Sequence, residues 1–590
     1  MKKGFTLVEV LVGSAVFVVV AIAAYGAYAG VFKLANLNQM KVIAVQLANE
    51  QFEIARNMTY DDIGIVNGIP NGTLQGTQTL TRAGMTFTVT KIVRNIDLPT
   101  DGLIGGTPND LTPADNKLMQ ITVSCASCQN FGPIVLSGQI APKNVEAVST
   151  NGSLRIQVLD ASGNGVPSAT VRIEYTATTS PVIINDTTDN SGILQIIDIP
   201  PATAAYNIYI SKSGYSSDRT YAPTPQNPNP DKPPATVAAQ QLTQISFVID
   251  ELSKLSFSSV TPSCEIVPNF DFSLKGDRLI GQELSRYYVN VSTNSSGILN
   301  MDPIEWDSYT VTPNDGAYDL AGINPLNPIS LNPGSTQSVQ LIAIPQNTNS
   351  LLFTIKDSST DLPLSGVLVK LYRSGSLIGS KTTGQGHLDQ ADWSGGGGQV
   401  GFVDSTKYWS TDGNIDTSSG GNILLRKIFE NYSSNGMLES STFNTGTSSN
   451  FYNISWSPGI QPLVTGQDSA RLQFATSPSS TPAIWNFFGP DGTATTYYVS
   501  PESPINNIHS GDQYARYRVY LSTITATSTP NISNISFTYT SDCIPPGQVI
   551  FSGLSSGTYT IEVSKSGYST YSREIYLESS WQEEQVLLGP

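Results

Sequence analysis

The chain has 590 residues, and at roughly 150 residues per domain it must hold about four or five units rather than one core. Only 13% of its residues are charged, against about 25% in ordinary soluble domains, while Gly, Pro, Ser, Thr, Asn and Tyr are plentiful, as in short strands and turns. A net charge of −16 offers no basic footprint for a phosphate backbone, so nucleic acid is not expected as a partner.

Met1-Lys2-Lys3-Gly4 precede an apolar run from Phe5 to Phe32, broken only by small residues, Thr6, Ser14, tyrosines and one charge, Glu9. About 20 apolar residues span a bilayer, and lysines ahead of the run predict a cytoplasmic N-terminus. A secretory signal would be cut after its apolar stretch, and this stretch is too long for one, so cleavage ahead of it is expected. Gly4-Phe5-Thr6-Leu7-Val8-Glu9-Val10-Leu11-Val12 resembles the class III signal of type IV pilins and pseudopilins. The resemblance implies that a prepilin peptidase cuts after Gly4, that Phe5 becomes the methylated N-terminal residue, and that Glu9 serves assembly. An acid inside an apolar segment costs roughly 2.5–3.5 kcal/mol at the bilayer centre and so needs a partner or a function. The free amine of a neighbouring subunit suits that role.

Residues 1–4 are thus expected to be a leader and 5–58 a transmembrane and assembly helix, about 80 Å long at 1.5 Å per residue. Met40, Ala44, Leu47, Ile54 and Met58 recur as one stripe that should face a core. Gly26 weakens a helix interior by about 1 kcal/mol. Residues 59–145 read as a small head: alternation over Met85–Thr90 after a turn at Ala83-Gly84, then strands near 118–123 and 134–140. Within the head, Cys125 and Cys128 form a Cys-x-x-Cys pair, the spacing of a redox motif, half a metal site or a small disulfide. No second pair or nearby His completes a zinc set, leaving a local disulfide or two free thiols, and no metal is expected. Cys264 and Cys543 have no partner assignable from sequence.

The remaining residues contain repeats. Leu154–Val158 leads into Gly165–Val171 as Leu352–Ile355 leads into Pro363–Val369, and Tyr206–Ser216 matches Tyr559–Ser569. Thr188–Leu194 is echoed by Thr293–Leu299. These copies resemble carboxypeptidase regulatory-like domains, the transthyretin-like or Cna-B-like sandwiches used as spacers in bacterial surface proteins. The resemblance implies a sandwich at 146–250 and another made of 347–403 and 542–590; the weaker echo suggests an Ig-like sandwich at 251–346, and the split of the last copy, with strand-like runs between its halves, points to a jelly-roll-like β domain inserted at 404–541. Long insertions into exposed turns are tolerated because loop entropy grows only logarithmically with length. Gly395–Gly398 reads as a hinge leading to the insert, and 471–475, 495–499, 516–521 and 535–539 as strands within it. The proline-rich run 223–234 reads as a protruding loop of the first sandwich.

No phosphate loop, His-Glu-x-x-His or nucleophile elbow occurs, and His387 and His509 are the whole histidine complement. Neither catalysis nor a cofactor is expected. Trp409, Trp456 and Trp485 offer either core filling, the commoner use, or a sugar-stacking platform. The expected fold is a multi-domain, mainly β chain behind a long N-terminal helix. The expected function is a large, minor pilin-like subunit, in the inner membrane before assembly and on a surface pilus after it. Its partners are a prepilin peptidase, other pilin subunits with their assembly machinery, and a glycan or cell-surface ligand. The rivals are a pseudopilin of a type II secretion or DNA-uptake system, and a pilin-anchored carbohydrate-binding or carbohydrate-active protein.

Overall fold

The computed structural model describes residues 6–128, 131–142, 149–177, 182–394, 408–418 and 421–590. Gly4, Phe5 and the glycines at 395–398 lie outside the described residues. The chain divides into two compact units, one of 1–252 with 279–284, the other of 253–278 with 285–590.

In the first unit one helix, Leu7–Arg56, runs unbroken through Gly13, Gly26 and Gly30 and spans about 75 Å at 1.5 Å per residue. Its second half buries Ala44, Leu47, Ala48, Phe52 and Ala55 against Phe87, Val89, Val93, Met119, Ile121 and Val123. The stripe differs from the expected one: Ile54 is exposed and Met40, half-buried, lies outside the core, while Phe52 packs in. The sheet beneath is an antiparallel meander in the order Thr77–Arg82, Met85–Ile96, Asn116–Ser124 and Ile134–Ile140. Just after its third strand, Cys125 and Cys128 are joined by a disulfide, their Cα atoms 5.4 Å apart.

A sandwich follows in the same unit. One sheet runs Leu242–Val248, Gly152–Leu159, Ile193–Ile199; the other Asp218–Arg219, Ala202–Ser211, Thr170–Tyr175, Val182–Thr187. The proline-rich run 223–234 is tied down rather than protruding. Buried Asn227 donates from Nδ2 to the Ile280 carbonyl at 2.9 Å, because a run short of its own N–H groups is anchored by what its few polar side chains can reach.

The second unit repeats this plan. Gly152–Leu159 lies parallel to the last strand of its sandwich, Leu242–Val248, and antiparallel to Ile193–Ile199. Ser253–Val260 does the same with Thr336–Pro345 and Ile298–Ile304. Asn349–Asp357 does it with Trp581–Leu588 and Gln548–Leu554. One turn recurs as well. Asp189 donates its N–H to Ile193 O (2.9 Å), Asn294 to Ile298 O (2.9 Å), and Gly384 to Gln548 O (3.0 Å). A glycine at positive φ sits in each: Gly192, Gly297 and Gly547. A Cβ on these would meet the carbonyl oxygens of Val158, Ser259 and Ile355 at 2.3, 2.8 and 2.8 Å, so both conformation and close approach require glycine there.

In the third occurrence that turn is interrupted between Gly384 and Gly547. The intervening chain forms its own sheet, with Gly386–Gln390, Asn534–Thr540, Phe443–Ser457, Asp512–Ser522, Asn435–Ser440 and Tyr408–Thr411 in spatial order, and Ala470–Ser477 also on Asp512–Ser522. The long strand Phe443–Ser457 pairs first with 512–515 and then, after register shifts, with 534–540, which turns the sheet through a corner. One boundary and one strand differ from the expected ones. Gly386–Gln390 pairs with Ile535–Tyr539, and Trp393 is buried in the intervening core, so that sheet begins near 386 rather than 404. Residues 495–499 form no strand and pair with the sheet backbone through an isolated bridge, Leu472 to Tyr498.

Candidate assembly site and aromatic face

Thr6 and Glu9 cap the long helix reciprocally. Glu9 Oε2 accepts from Thr6 N–H (3.0 Å) and Thr6 Oγ1 (2.9 Å), while Thr6 Oγ1 accepts from Glu9 N–H (3.3 Å). The capping box gives Glu9 a local role that its place in the sequence did not reveal, with its carboxylate held at the positive end of the helix dipole. From Leu7 to Leu34 the large apolar side chains are exposed. The helix is long and apolar enough to cross a membrane, and among the described residues nothing of its own chain buries this half.

Trp409, Trp456 and Trp485, three of the four tryptophans in 386–541, part company. Trp456 is core. Trp409 and Trp485 both lie beside the Arg516 guanidinium, 4.7 and 4.8 Å from their ring centres, so neither is a free stacking platform. Next to them Arg518 lies 3.9 Å from the centre of Phe487, and Glu439 bridges Arg516 (2.6 Å) and Arg518 (2.9 Å). Burial pulls the Arg516 pKa below its ordinary value, opposed by Glu439. Arg471 over Tyr497 (4.9 Å) and Tyr520 donating to Gln473 Oε1 (3.0 Å) complete the face. The signal for it was the alternation Arg516-Tyr517-Arg518-Val519-Tyr520-Leu521, which puts polar groups on one side of a strand and Tyr517, Val519 and Leu521 in the core.

Two further features escaped sequence reasoning. Asp101, Asp110 and Asp115 each bring one carboxylate oxygen within 4.8 Å of the others. Burial, reinforced by these three charges, lifts neighbouring Asp97 to about 6. Cys264 and Cys543 are joined by a disulfide across 279 positions of sequence. The two histidines do not meet in one site: half-exposed His387 pairs with Asp389, and His509 is buried between Phe474 and Phe488.

Residues 1–25 match the family described as the prokaryotic N-terminal methylation motif. The chain thus opens on a class III methylation signal, with a long helix and a mainly β body behind it. Among solved structures the chain is similar to the Bacillus anthracis TIE protein, at 14% identity over 53% of this chain and 64% of that one, with a TM-score of 0.15. It is similar to a streptococcal ancillary pilin, at 12% identity over 40% of this chain and 83% of that one, TM-score 0.14. It is also similar to GBS52, the minor pilin of Streptococcus agalactiae, at 12% identity over 32% of this chain and 95% of that one, TM-score 0.16. The chain spans less than two thirds of the first of these. No curated protein matches it.

Proposed function

We propose that this chain is a large, low-copy subunit of a type IV filament, cut after Gly4, methylated at Phe5 and assembled through Glu9, displaying its β modules for surface attachment. The observation that carries the reading is the long helix of a chain that opens on a methylation motif. Its first half exposes a continuous apolar surface and its second half is the spine of a folded head. A helix so divided serves two environments: bilayer or neighbouring helices along one part, its own sheet along the other. Lysines ahead of the span favour a cytoplasmic N-terminus.

Glu9 closes its capping box within its own chain, so a neighbour's freed amine would add a charge-assisted bond to a carboxylate already oriented by Thr6. Glu9→Val should therefore give processed, membrane-inserted protein that enters sheared filaments poorly, while Gly4→Ala should accumulate uncleaved precursor. Equal incorporation of Glu9→Val and wild type, or a mature N-terminus other than Phe5 by sequencing, would overturn the reading. The domain proposed for display is the one interrupting the third sandwich, since both its ends leave the carrier through one turn.

A further inference from the structure

The sheet domain at 386–541 carries an apolar end that its own fold does not use. Phe429 is 95% exposed, Leu463 94%, Ile460 89% and Ile524 79%, with Val464 and Ile428 at least half exposed. They sit on three loops that are laced together. Ile524 N–H donates to Thr465 O at 3.1 Å, Tyr432 N–H donates to Ala526 O at 2.8 Å, and the Gln461 side chain both donates to Asn531 O and accepts from Asn531 N–H. These contacts fix the loops side by side while the large side chains project. Phe429 itself holds a positive φ, a conformation a phenylalanine rarely adopts, at the turn of the hairpin Lys427–Ile428 with Asn431–Tyr432.

We infer that this end of the domain inserts into the interfacial layer of a lipid bilayer. Its shape and flanking charges select that occupant. A folded protein would need a separate cavity for each projection on three loops, whereas acyl chains conform to any of them. Arg426 and Lys427, both exposed, and half-buried Tyr432 stand at the base of the hairpin that carries Ile428 and Phe429. A tip of aliphatic and phenyl groups above a collar of cations and a tyrosine matches the layering of acyl chains, phosphates and headgroups. Glu430, on the same hairpin, is neutralised by Lys427 at 3.2 Å. The inference rests on the reading that this domain is the displayed one, and it makes the surface contacted a membrane rather than a glycan.

The test uses the full chain, held in nanodiscs by its own helix and immobilised through the disc, with phosphatidylcholine vesicles passed over it. Retention of vesicles by the wild type is expected. Phe429→Ser and Leu463→Ser should each weaken it about tenfold, the loss of one inserted large apolar side chain. Phe429→Ser/Leu463→Ser/Ile524→Ser together should abolish it. Because these side chains touch little of the protein, the variants should melt as the wild type does, and Leu377→Ser, exposed on another module, should bind normally. Vesicles lacking any affinity for the wild type would overturn the proposal and leave the tip to a protein partner. So would retention by phosphatidylglycerol vesicles alone that salt removes and the serine variants do not, which is adsorption to the cations. Attachment by cells lacking the domain reports separately on whether it is displayed at all.

Discussion

His509 shows at the scale of one residue what the 386–541 core demands of a polar side chain. It is 2% exposed, its Nδ1 lies 3.2 Å from Thr476 Oγ1, and among the described residues its Nε2 finds no hydrogen-bond partner. Phe474 and Phe488 flank the ring at 5.4 and 6.0 Å, and burial pushes its pKa down to about 4. A histidine with a depressed native pKa binds its proton more readily in the unfolded chain. Its contribution is complete above the unfolded pKa of about 6.5 and is lost as pH falls toward 4, up to about 3 kcal/mol. The urea midpoint of this domain, followed by tryptophan fluorescence, should therefore drop between pH 6.5 and 4 in the wild type. In His509→Phe that part of the slope should flatten; an identical slope in both would show that other groups govern the acid limb.

At the scale of elements, the long helix sets the strongest contrast between expectation and packing. Phe52 lies against Gly138 of the last head strand, where an added Cβ would come within 3.0 Å of the ring, whereas Ile54 faces outward. Phe52→Ala should cost the head about 3–5 kcal/mol, and Ile54→Ala no more than about 0.5. Hydrogen exchange along Asn116–Ser124 would report both, and comparable loss of protection in the two variants would contradict the packing described. The helix itself was legible because a long apolar run and an i, i+3, i+4 stripe have one periodic solution. Which edge of the stripe the sheet covers was not, since that depends on a glycine 86 positions away. The head strands were legible for the same local reason: alternation over 85–90, bounded by Ala83-Gly84, is written within ten residues. Pairings between distant segments were not. Gly386–Gln390 reads as a continuation of the preceding sandwich until its partner, Ile535–Tyr539, is known. Nothing near Cys264 or Cys543 points to the other.

At the scale of the whole molecule, the turn closed by Gly384 N–H to Gln548 O makes the interruption a testable architecture. The same bond closes the four-residue step from Asp189 to Ile193 in the first sandwich and from Asn294 to Ile298 in the second, so the flanks of the long interruption stand as close as those of an ordinary turn. The carrier core already unites both halves: Leu351, Phe353, Ile355, Val369 and Leu371 pack with Val549, Phe551, Tyr559, Ile561, Val563 and Val586. Replacing 386–546 by a short Gly/Ser turn should leave that core intact, because closing a shorter loop lowers rather than raises the entropic cost. Cys264→Ser must accompany the deletion, since Cys543 leaves with the excised segment. The fragment 386–541 of the excised segment, expressed alone, should unfold cooperatively, given a core that runs from Trp393 to Tyr539 and includes Trp456, Phe474 and Tyr517. Loss of protease resistance in the deleted carrier, or a fragment without a cooperative transition, would show that the two share one core. Cells carrying the deleted chain should form filaments in normal number and lose surface attachment, which would separate the assembly proposed for the helix from the contact proposed for the inserted domain. Attachment equal to wild type would instead make that domain a spacer, and would leave the apolar loop end without a cellular partner.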